Sequence, residues 1–214
     1  FIDKTTDGGL TWTRFVDGDP FPRRVHMFDN QNGLSLIHAG SLLRTTDGFN
    51  NVSLEFLPSG YAWYHMSFAG GLTGWFASVT GDLLRTTNGG ITFTEQILPG
   101  FNISSDVLTD VVALSATEGY VCTYRNTGLG SGRVYRTSNG GATWTAMPVI
   151  TTPDSALGSL LIAVHSLPSG VTSGPGGLLS TGPDMKWAAG HRGYIFGYGA
   201  WQPLPAIDSW KIRP

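Results

Sequence analysis

The sequence predicts an all-β fold of the β-propeller type, in which four-stranded sheets called blades surround a central axis. Of the 214 residues, only 13% are charged, while 12% are aromatic and 30 are glycines. This composition is typical of many short strands joined by tight turns. A turn motif recurs at steps of 40, 41 and 51 residues, measured between Asp7, Asp47, Asn88 and Asn139. A period of about 40 residues is the length of one blade.

The recurring motif is Thr-Thr or Thr-Ser followed by Asp or Asn and then Gly, and it predicts a tight turn. Asp or Asn can bond its own backbone two residues on, and the glycines that follow adopt positive φ. A Thr and an aromatic residue then begin the outer strand, with the ring packed inward against the next blade. We therefore predict structural roles for Asp7, Gly9, Trp12, Asp47, Asn88, Gly90, Phe93, Asn139, Gly141 and Trp144.

Two details of the repeat carry further expectations. Asp47 is followed by Phe-Asn-Asn-Val, so the second turn has lost the Gly-x-Thr-aromatic half of the motif. We expect it to keep its position without its full hydrogen-bond set. A cationic residue stands three positions before each Asp or Asn, and we expect these side chains to be solvated on an outer hairpin, stacking on neighbouring aromatics. They are Lys4, Arg44, Arg85 and Arg136.

The repeats divide the chain into one domain, residues 1–214, with half a blade at 1–16 and four blades at about 22–57, 62–98, 107–149 and 158–205. Two arrangements fit this count. In the first, which we favour, the N-terminal strand pairs with the C-terminal unit and closes a five-bladed ring without exposed edges. In the second, the chain is part of a larger propeller. The chain begins at Phe1 rather than Met, so we expect either a removed leader or a longer polypeptide.

Composition argues against several functions. The net charge of −2 does not favour nucleic-acid binding. The sequence contains no run of about 18 apolar residues, so we expect no direct insertion into a membrane. Cys122 is the single cysteine, which excludes an internal disulfide, and its apolar surroundings predict a buried structural thiol.

Residues 74–90 carry a family resemblance. Gly74-Trp75-Phe-Ala-Ser-Val-Thr-Gly81, leading into Leu84-Arg85-Thr-Thr-Asn-Gly-Gly90, resembles the repeat of the photosystem II assembly and stability factors. It is also similar to the wider group of Asp-box (BNR-like) propellers, which includes secreted bacterial proteins, sialidases, xyloglucanases and sortilin. The resemblance implies a propeller that is secreted, periplasmic or at the cell surface. The Asp box is a turn device on the rim, so it does not identify a substrate.

The residues that glycan hydrolysis would need are poorly supplied. Hydrolysis of the xyloglucanase type uses two carboxylates facing each other across a cleft. Asp106 and Asp110 precede one inner strand, Asp29 is the only similar carboxylate in another unit, and we interpret all three as solvated loop acids. The arginine motif that sialidases share is not matched by Phe21-Pro22-Arg23-Arg24-Val25. We therefore predict no catalytic residues, with a glycoside hydrolase-like propeller as the alternative.

Histidines raise the possibility of a metal site on the axis. We take His26 and His65 as repeat-equivalent, and His165 as their counterpart in the last unit. No carboxylate recurs at a constant sequence distance from these histidines, so we interpret them as channel-lining or core side chains. We expect no metal and no cofactor.

The loops that precede the inner strands should gather at one mouth of the channel, at residues 21–24, 61–64, 105–110 and 158–160. Trp, Tyr and Arg dominate binding surfaces where they converge. We therefore predict a non-catalytic module that binds a protein partner or a glycan, or serves a larger assembly, with an assembly factor for a membrane complex as a further alternative. The candidate binding residues are Arg23, Arg24, Trp63, Tyr64, His65, Asp106 and Asp110.

Overall fold

The computed structural model of the chain describes residues 2–16, 22–37, 40–58, 62–125 and 133–147, together with the backbone of three strands at 161–166, 186–190 and 195–198. Within these residues the regular elements are antiparallel β-strands. They are β1 Ile2–Lys4, β2 Thr13–Val16, β3 Pro22–Met27, β4 Gly33–Ile37, β5 Ser41–Thr45, β6 Ser53–Phe56, β7 Trp63–Phe68, β8 Gly74–Ser78, β9 Leu83–Thr86, β10 Thr94–Gln96, β11 Asp106–Ala113, β12 Gly119–Arg125, β13 Arg133–Thr137, β14 Thr145–Ala146, β15 Leu161–Ser166, β16 Lys186–Gly190 and β17 Ile195–Tyr198.

Three complete sheets repeat the same up-and-down order of four strands. They are β3–β6, β7–β10 and β11–β14, and in each sheet the strands are hydrogen-bonded in chain order. The first strand of each sheet packs beside the first strand of the next, so we call β3, β7, β11 and β15 the inner strands. This arrangement confirms the predicted four-stranded unit.

The two ends of the chain form incomplete sheets. β1 and β2 correspond to the third and fourth strands of a complete sheet. Lys4 pairs with Thr13 in the same register in which Arg85 of β9 pairs with Thr94 of β10. β15, β16 and β17 correspond to the first three strands of a unit. Among the described strands the two end sheets are not hydrogen-bonded to each other. Ring closure stays a prediction, and the segment predicted as the last outer strand, residues 200–204, lies outside the described residues.

The apolar core lies between successive sheets. Neighbouring residues of a strand point to opposite faces, and β8, which is buried at every position, uses both faces. Phe76 belongs to a cluster that includes Leu36 of the preceding sheet. Trp75 belongs to a cluster that includes Tyr135 of the following sheet. The sheet β7–β10 is therefore held by side chains on both of its faces.

The repeat turns, at residues 5–12, 45–52, 86–93 and 137–144, share one hydrogen-bond pattern. In the third turn Thr86 Oγ1 accepts the N–H groups of Asn88 at 3.3 Å and Gly90 at 2.9 Å. Asn88 Oδ1 accepts the N–H of Thr92 at 2.9 Å. The predicted bond from the Asp or Asn side chain to the backbone two residues later is therefore wrong. The threonine hydroxyl accepts that N–H, and the Asp or Asn side chain accepts the N–H of the residue four positions later.

Glycines in these turns adopt the positive φ that the sequence predicts. Gly89 and Gly90 have φ of 68° and 79°. The N–H of Gly89 donates to the carbonyl of Leu72 at 2.8 Å, and that of Gly140 donates to Thr117 at 2.7 Å. With the bond from the Gly48 N–H to the carbonyl of Gln31, the repeat turns of the three complete sheets are each tied to the turn between the first two strands of their own sheet.

The second repeat turn keeps its full set of bonds, so the expected loss is wrong. Asn51 takes the place of the threonine, since its backbone N–H donates to Asp47 Oδ1 at 2.8 Å and its side-chain amide donates to Oδ2 at 2.7 Å. Phe49 takes the place of the second glycine at φ 70°, and its N–H donates to Thr45 Oγ1 at 2.8 Å. The Phe49 side chain is buried, which offsets the cost of a left-handed backbone.

Aromatic residues at the end of the repeat turns differ in burial. Trp144 is 5% exposed and meets Trp75 of the preceding sheet edge to face, with ring centroids 6.2 Å apart. Phe93 packs against the cluster that joins its sheet to the preceding one. Trp12 is 61% exposed, so inward packing is wrong for the first turn. Where these rings are buried, the covering surface is the preceding sheet and not the next one.

Two of the repeated arginines cross the boundary between sheets. Arg44 Nη1 donates to the carbonyl of Gly89 in the following sheet at 3.0 Å, while its other nitrogens hold Glu55. Arg85 Nη2 donates to the carbonyl of Ala116 in the following sheet at 3.2 Å and its guanidinium carbon lies 5.7 Å from the Trp75 ring centroid. The expectation of solvated side chains is wrong for Arg44 and Arg85, because their position in the repeat places them at the boundary between two sheets.

Asn139→Ala and Gly140→Val are each expected to lower the free energy of unfolding by about 1–3 kcal/mol. The first removes the acceptor for the Thr143 N–H, and the second forces a branched side chain into φ 70°. Urea denaturation measures the effect, with exposed Ala142→Ser in the same turn as the control. Wild-type stability in both variants would contradict the structural role of the turn.

Asp47→Asn is expected to make the protein less sensitive to acid. Hydrogen bonds from Asn51 hold the pKa of Asp47 below its ordinary value of 3.8. A lowered folded-state pKa stabilises the protein above the unfolded value and loses that contribution as pH falls through the lowered one. Melting temperatures between about pH 7 and about pH 3 should therefore fall less in the variant than in wild type. An equal fall in both proteins would show that the turn does not depend on the charge.

Candidate functional site

Every inner strand carries a β-bulge at the same position. The register with the second strand slips between Pro22 and Arg24 in β3 and between Trp63 and His65 in β7. The same slip occurs between Leu108 and Asp110 in β11 and between Leu161 and Ala163 in β15. A bulge inserts one residue and re-aims the side chains around it. The inserted residues are Arg23, Tyr64, Thr109 and Ile162.

The inserted residues of the first two complete sheets form a cation–aromatic pair. The guanidinium carbon of Arg23 lies 4.3 Å from the centroid of the Tyr64 ring. Arg23 is exposed and Tyr64 is half-buried. The contact covers one face of the tyrosine ring and links β3 to β7.

The residues that follow the bulges form a second layer across three sheets. Arg24 Nη2 lies 3.5 Å from His65 Nδ1, and the same Nδ1 lies 3.3 Å from Asp110 Oδ1. The side chains of His65 and Asp110 are 18% and 13% exposed, whereas Arg24 is exposed. We call this group the mouth site, consisting of Arg23, Arg24, Tyr64, His65, Thr109 and Asp110. It contains two permanent cations and one carboxylate beside a histidine.

Cys122 lies behind the mouth site. It pairs with Asp110 across β11 and β12, and its side chain is fully buried. Burial first, and then the negative charge of Asp110, raise the pKa of the Cys122 thiol well above its ordinary value. The predicted buried thiol is confirmed, and its neutral form packs in the core beneath the site.

Two of the candidate binding residues lie inside the protein. Trp63 is 1% exposed and belongs to the core cluster between the first two complete sheets. Asp106 is 3% exposed. Its Oδ2 accepts the N–H of Asn102 at 3.0 Å and its Oδ1 accepts the hydroxyl of Ser105 at 3.2 Å. The interpretation of Asp106 as a solvated loop acid is therefore wrong, because it closes the loop before β11.

The equivalence drawn between His26 and His65 is also wrong. The bulges align His65 with Arg24, whereas His26 aligns with Ser67 near the end of the inner strand. His26 stacks on Phe68 with ring centroids 4.7 Å apart, and burial lowers its pKa. The register of β15 gives His165 the position of His26, and places Ala163 where His65 stands.

The third carboxylate of the sequence analysis lies away from the mouth site. Asp29 closes the turn between β3 and β4, where its Oδ1 accepts the N–H groups of Gln31 and Asn32 at 2.7 Å each. Asp29 is exposed, as expected of a solvated loop acid, and hydrogen bonds, chiefly from Asn32, lower its pKa. Asp29 follows the end of its inner strand, while Asp110 lies in the middle of β11.

The remaining predicted features have a more limited outcome. Phe21, Tyr61 and residues 158–160 of the predicted mouth lie outside the described residues. In the part of the chain that the structure describes, no three His, Cys, Asp or Glu side chains group as metal ligands. None of the described elements is a helix of the length and hydropathy needed to cross a bilayer. The bulges that create the mouth site were missed, since strand register leaves no signal in a single sequence.

Comparison with solved structures identifies the architecture. YCF48 bound to D1 peptide is similar with 21% identity and a TM-score of 0.57, over 86% of this chain and 53% of that one. YCF48 from Cyanidioschyzon merolae is similar with 18% identity and a TM-score of 0.56, over 86% and 54%. The fold is a β-propeller.

A propeller enzyme shows a comparable likeness. An ancestral GH74 enzyme is similar with 16% identity and a TM-score of 0.54, over 92% of this chain and 28% of that one. The chain therefore spans about half the length of the YCF48 structures and a smaller part of the enzyme. At these identities the likeness concerns the fold alone. No protein-family model and no curated protein matches the sequence.

Cys122 is expected to react with a thiol reagent only after unfolding. Its side chain is fully buried and its thiol is held neutral, whereas the thiolate is the reactive form. Ellman's reagent at about pH 8 should therefore label the folded chain negligibly and the urea-unfolded chain stoichiometrically. Full labelling of the folded chain, with circular dichroism unchanged, would contradict the packing beneath the mouth site.

Proposed function

We propose that this chain is a non-catalytic propeller of the Asp-box type that binds an acidic peptide segment of a protein partner at the mouth site. The observation that carries the proposal is the convergence of Arg23, Arg24, Tyr64 and His65 from two neighbouring inner strands. Such aromatic and cationic groups dominate protein-binding hot spots. The hydrogen-bond pattern shared by the four repeat turns supports the Asp-box assignment.

The charge of the mouth site favours an acidic ligand. Arg23 and Arg24 are exposed, and Asp110 is the one carboxylate among the six residues that define the site. Stacking on Tyr64 uses one face of the Arg23 guanidinium and leaves its N–H groups available in the plane. Carboxylates and peptide carbonyls are the acceptors that such a fork binds.

A peptide fits these contacts better than a glycan does. Sugar rings stack on open aromatic faces, but Arg23 covers one face of Tyr64 and Trp63 is buried in the core. One of the YCF48 structures holds a D1 peptide, which supports a peptide ligand for the same fold. Because this chain spans about half of that protein, a role of the whole protein in a larger assembly is part of the proposal.

The positions of the carboxylates support a non-catalytic role. A two-carboxylate hydrolase needs its acids to face each other across the substrate. Asp106 is committed to the loop before β11, Asp110 to His65, and Asp29 to a turn at the other end of its strands. The three acids considered for the glycoside hydrolase alternative therefore serve separate local contacts.

An array of immobilised peptides of graded charge tests the proposal directly. The purified chain is expected to bind acidic peptides, and Arg23→Ala/Arg24→Ala is expected to weaken binding at least about tenfold, equal to about 1.4 kcal/mol. The matched control is Arg14→Ala/Arg136→Ala, which removes two other exposed arginines, each from a surface ion pair. Equal losses in both double variants would reduce the effect to net charge.

A parallel screen covers the competing functions. The same protein is applied to a glycan array and to chromogenic glycosides. Glycan binding without peptide binding would overturn the peptide proposal. Turnover that disappears in Asp110→Asn or Asp106→Asn would overturn the non-catalytic one.

A further inference from the structure

The second layer of the mouth site contains two contacts that compete for one atom. Arg24 Nη2 and Asp110 Oδ1 both approach His65 Nδ1, at 3.5 Å and 3.3 Å. Arginine only donates hydrogen bonds and an ionised carboxylate only accepts them. Nδ1 therefore bonds Arg24 when it carries a lone pair and bonds Asp110 when it carries a proton.

We propose that proton uptake by His65 releases Arg24 to the ligand, so that peptide binding at the mouth site tightens as pH falls. This inference rests on the proposed function and adds its regulation. In the neutral state, Nδ1 accepts from Arg24 and holds the guanidinium against β7. In the protonated state, Nδ1–H donates to Asp110 and the new positive charge repels Arg24 toward solvent.

Among the residues that the structure describes, three strands supply the groups that face His65. From β3 it is faced by Arg24, and Arg23 lies over the ring of the neighbouring Tyr64. From β11 it is faced by Asp110. Behind Asp110 stands Cys122, which is neutral because burial raises its thiol pKa. Ala77, the register partner of His65 in β8, carries no charge.

The ligand strengthens the same coupling. The carboxylates of an acidic peptide are mostly ionised above about pH 5, since the ordinary pKa of glutamate is about 4.3, so the peptide remains a partner for Arg24 across the pH range of the binding test. Since the ligand binds the protonated site better, proton uptake and peptide binding favour each other reciprocally. A propeller with this device would bind in a mildly acidic compartment and release its ligand at higher pH.

The first experiment needs no ligand. Long-range ¹H–¹⁵N spectra of the histidine rings, recorded from about pH 5 to about pH 8.5, report which ring nitrogen of His65 carries a proton. We expect an unprotonated Nδ1 at high pH and two protonated nitrogens at low pH. In Arg24→Gln the neutral ring is expected to move its proton to Nδ1, facing Asp110. A neutral wild-type ring already protonated at Nδ1 would overturn the proposal, because Arg24 would then be free at every pH.

The second experiment uses an N-acetylated hexaglutamate peptide as the probe. Wild type is expected to bind it roughly fivefold or more tightly at about pH 5.5 than at about pH 8. His65→Asn should remove this ratio, and His26→Asn should keep it, since His26 stacks on Phe68 away from the mouth site. Melting temperatures confirm that both variants are folded.

The outcomes separate the two proposals. Binding with equal affinity at both pH values, or a ratio that persists in His65→Asn, overturns the switch and leaves peptide binding intact. Binding that is absent at both pH values overturns peptide binding by the mouth site, while the ring spectra still decide the exchange between Arg24 and Asp110.

Discussion

The contact on which the rest of the structure depends is the one that holds each sheet to the next. Arg44 and Arg85 donate from the third strand of one sheet to a backbone carbonyl of the following sheet. Those carbonyls are held in place by the turns. Gly89 belongs to the third repeat turn, and Ala116 belongs to the turn between β11 and β12, which is hydrogen-bonded to the fourth repeat turn. The hydrogen bonds of the turns thus become restraints between sheets. With Trp75 and Phe76 packed on opposite faces of β8, they bring the inner strands side by side.

Placing the inner strands side by side makes the mouth site possible, but the bulges determine its composition. Without the extra residue, the side chains on one side of each bulge would lie on the opposite face of the sheet. Those that now face the neighbouring inner strand would then face away from it. With the extra residue, Arg23 reaches the ring of Tyr64, and Arg24 reaches His65. The bulge interrupts the hydrogen bonds between strands in all four inner strands. It is therefore part of the repeat, and only the side chains at the bulge differ between sheets.

The sequence predicted the sheets and the turns well because both leave periodic signals. The steps between Asp7, Asp47, Asn88 and Asn139 correspond to the units observed, and the glycines adopt the predicted φ. The predicted mouth loops contain Arg23, Arg24, Tyr64 and Asp110, which lie near one another and near His65 in the structure, while their role in binding stays a prediction. The prediction did not separate Trp63 and Asp106 from them, since a shift of one residue at a bulge decides which neighbours face the core. Nor could it foresee that Asn51 supplies the bonds of the missing threonine.

Within the repeat, the positions of the turns and the positions of the mouth site behave differently. The threonine of the turn recurs as Thr5, Thr45, Thr86 and Thr137, because each sheet needs the same acceptor for the same N–H groups. The position after the bulge is instead a cation, a histidine and a carboxylate in three successive sheets. A position whose work is packing would tolerate one apolar residue throughout. Three different ionisable groups, aligned by register and in contact through a single nitrogen atom, therefore distinguish the mouth site from the repeated turns, and this contrast is consistent with the proposed role in binding.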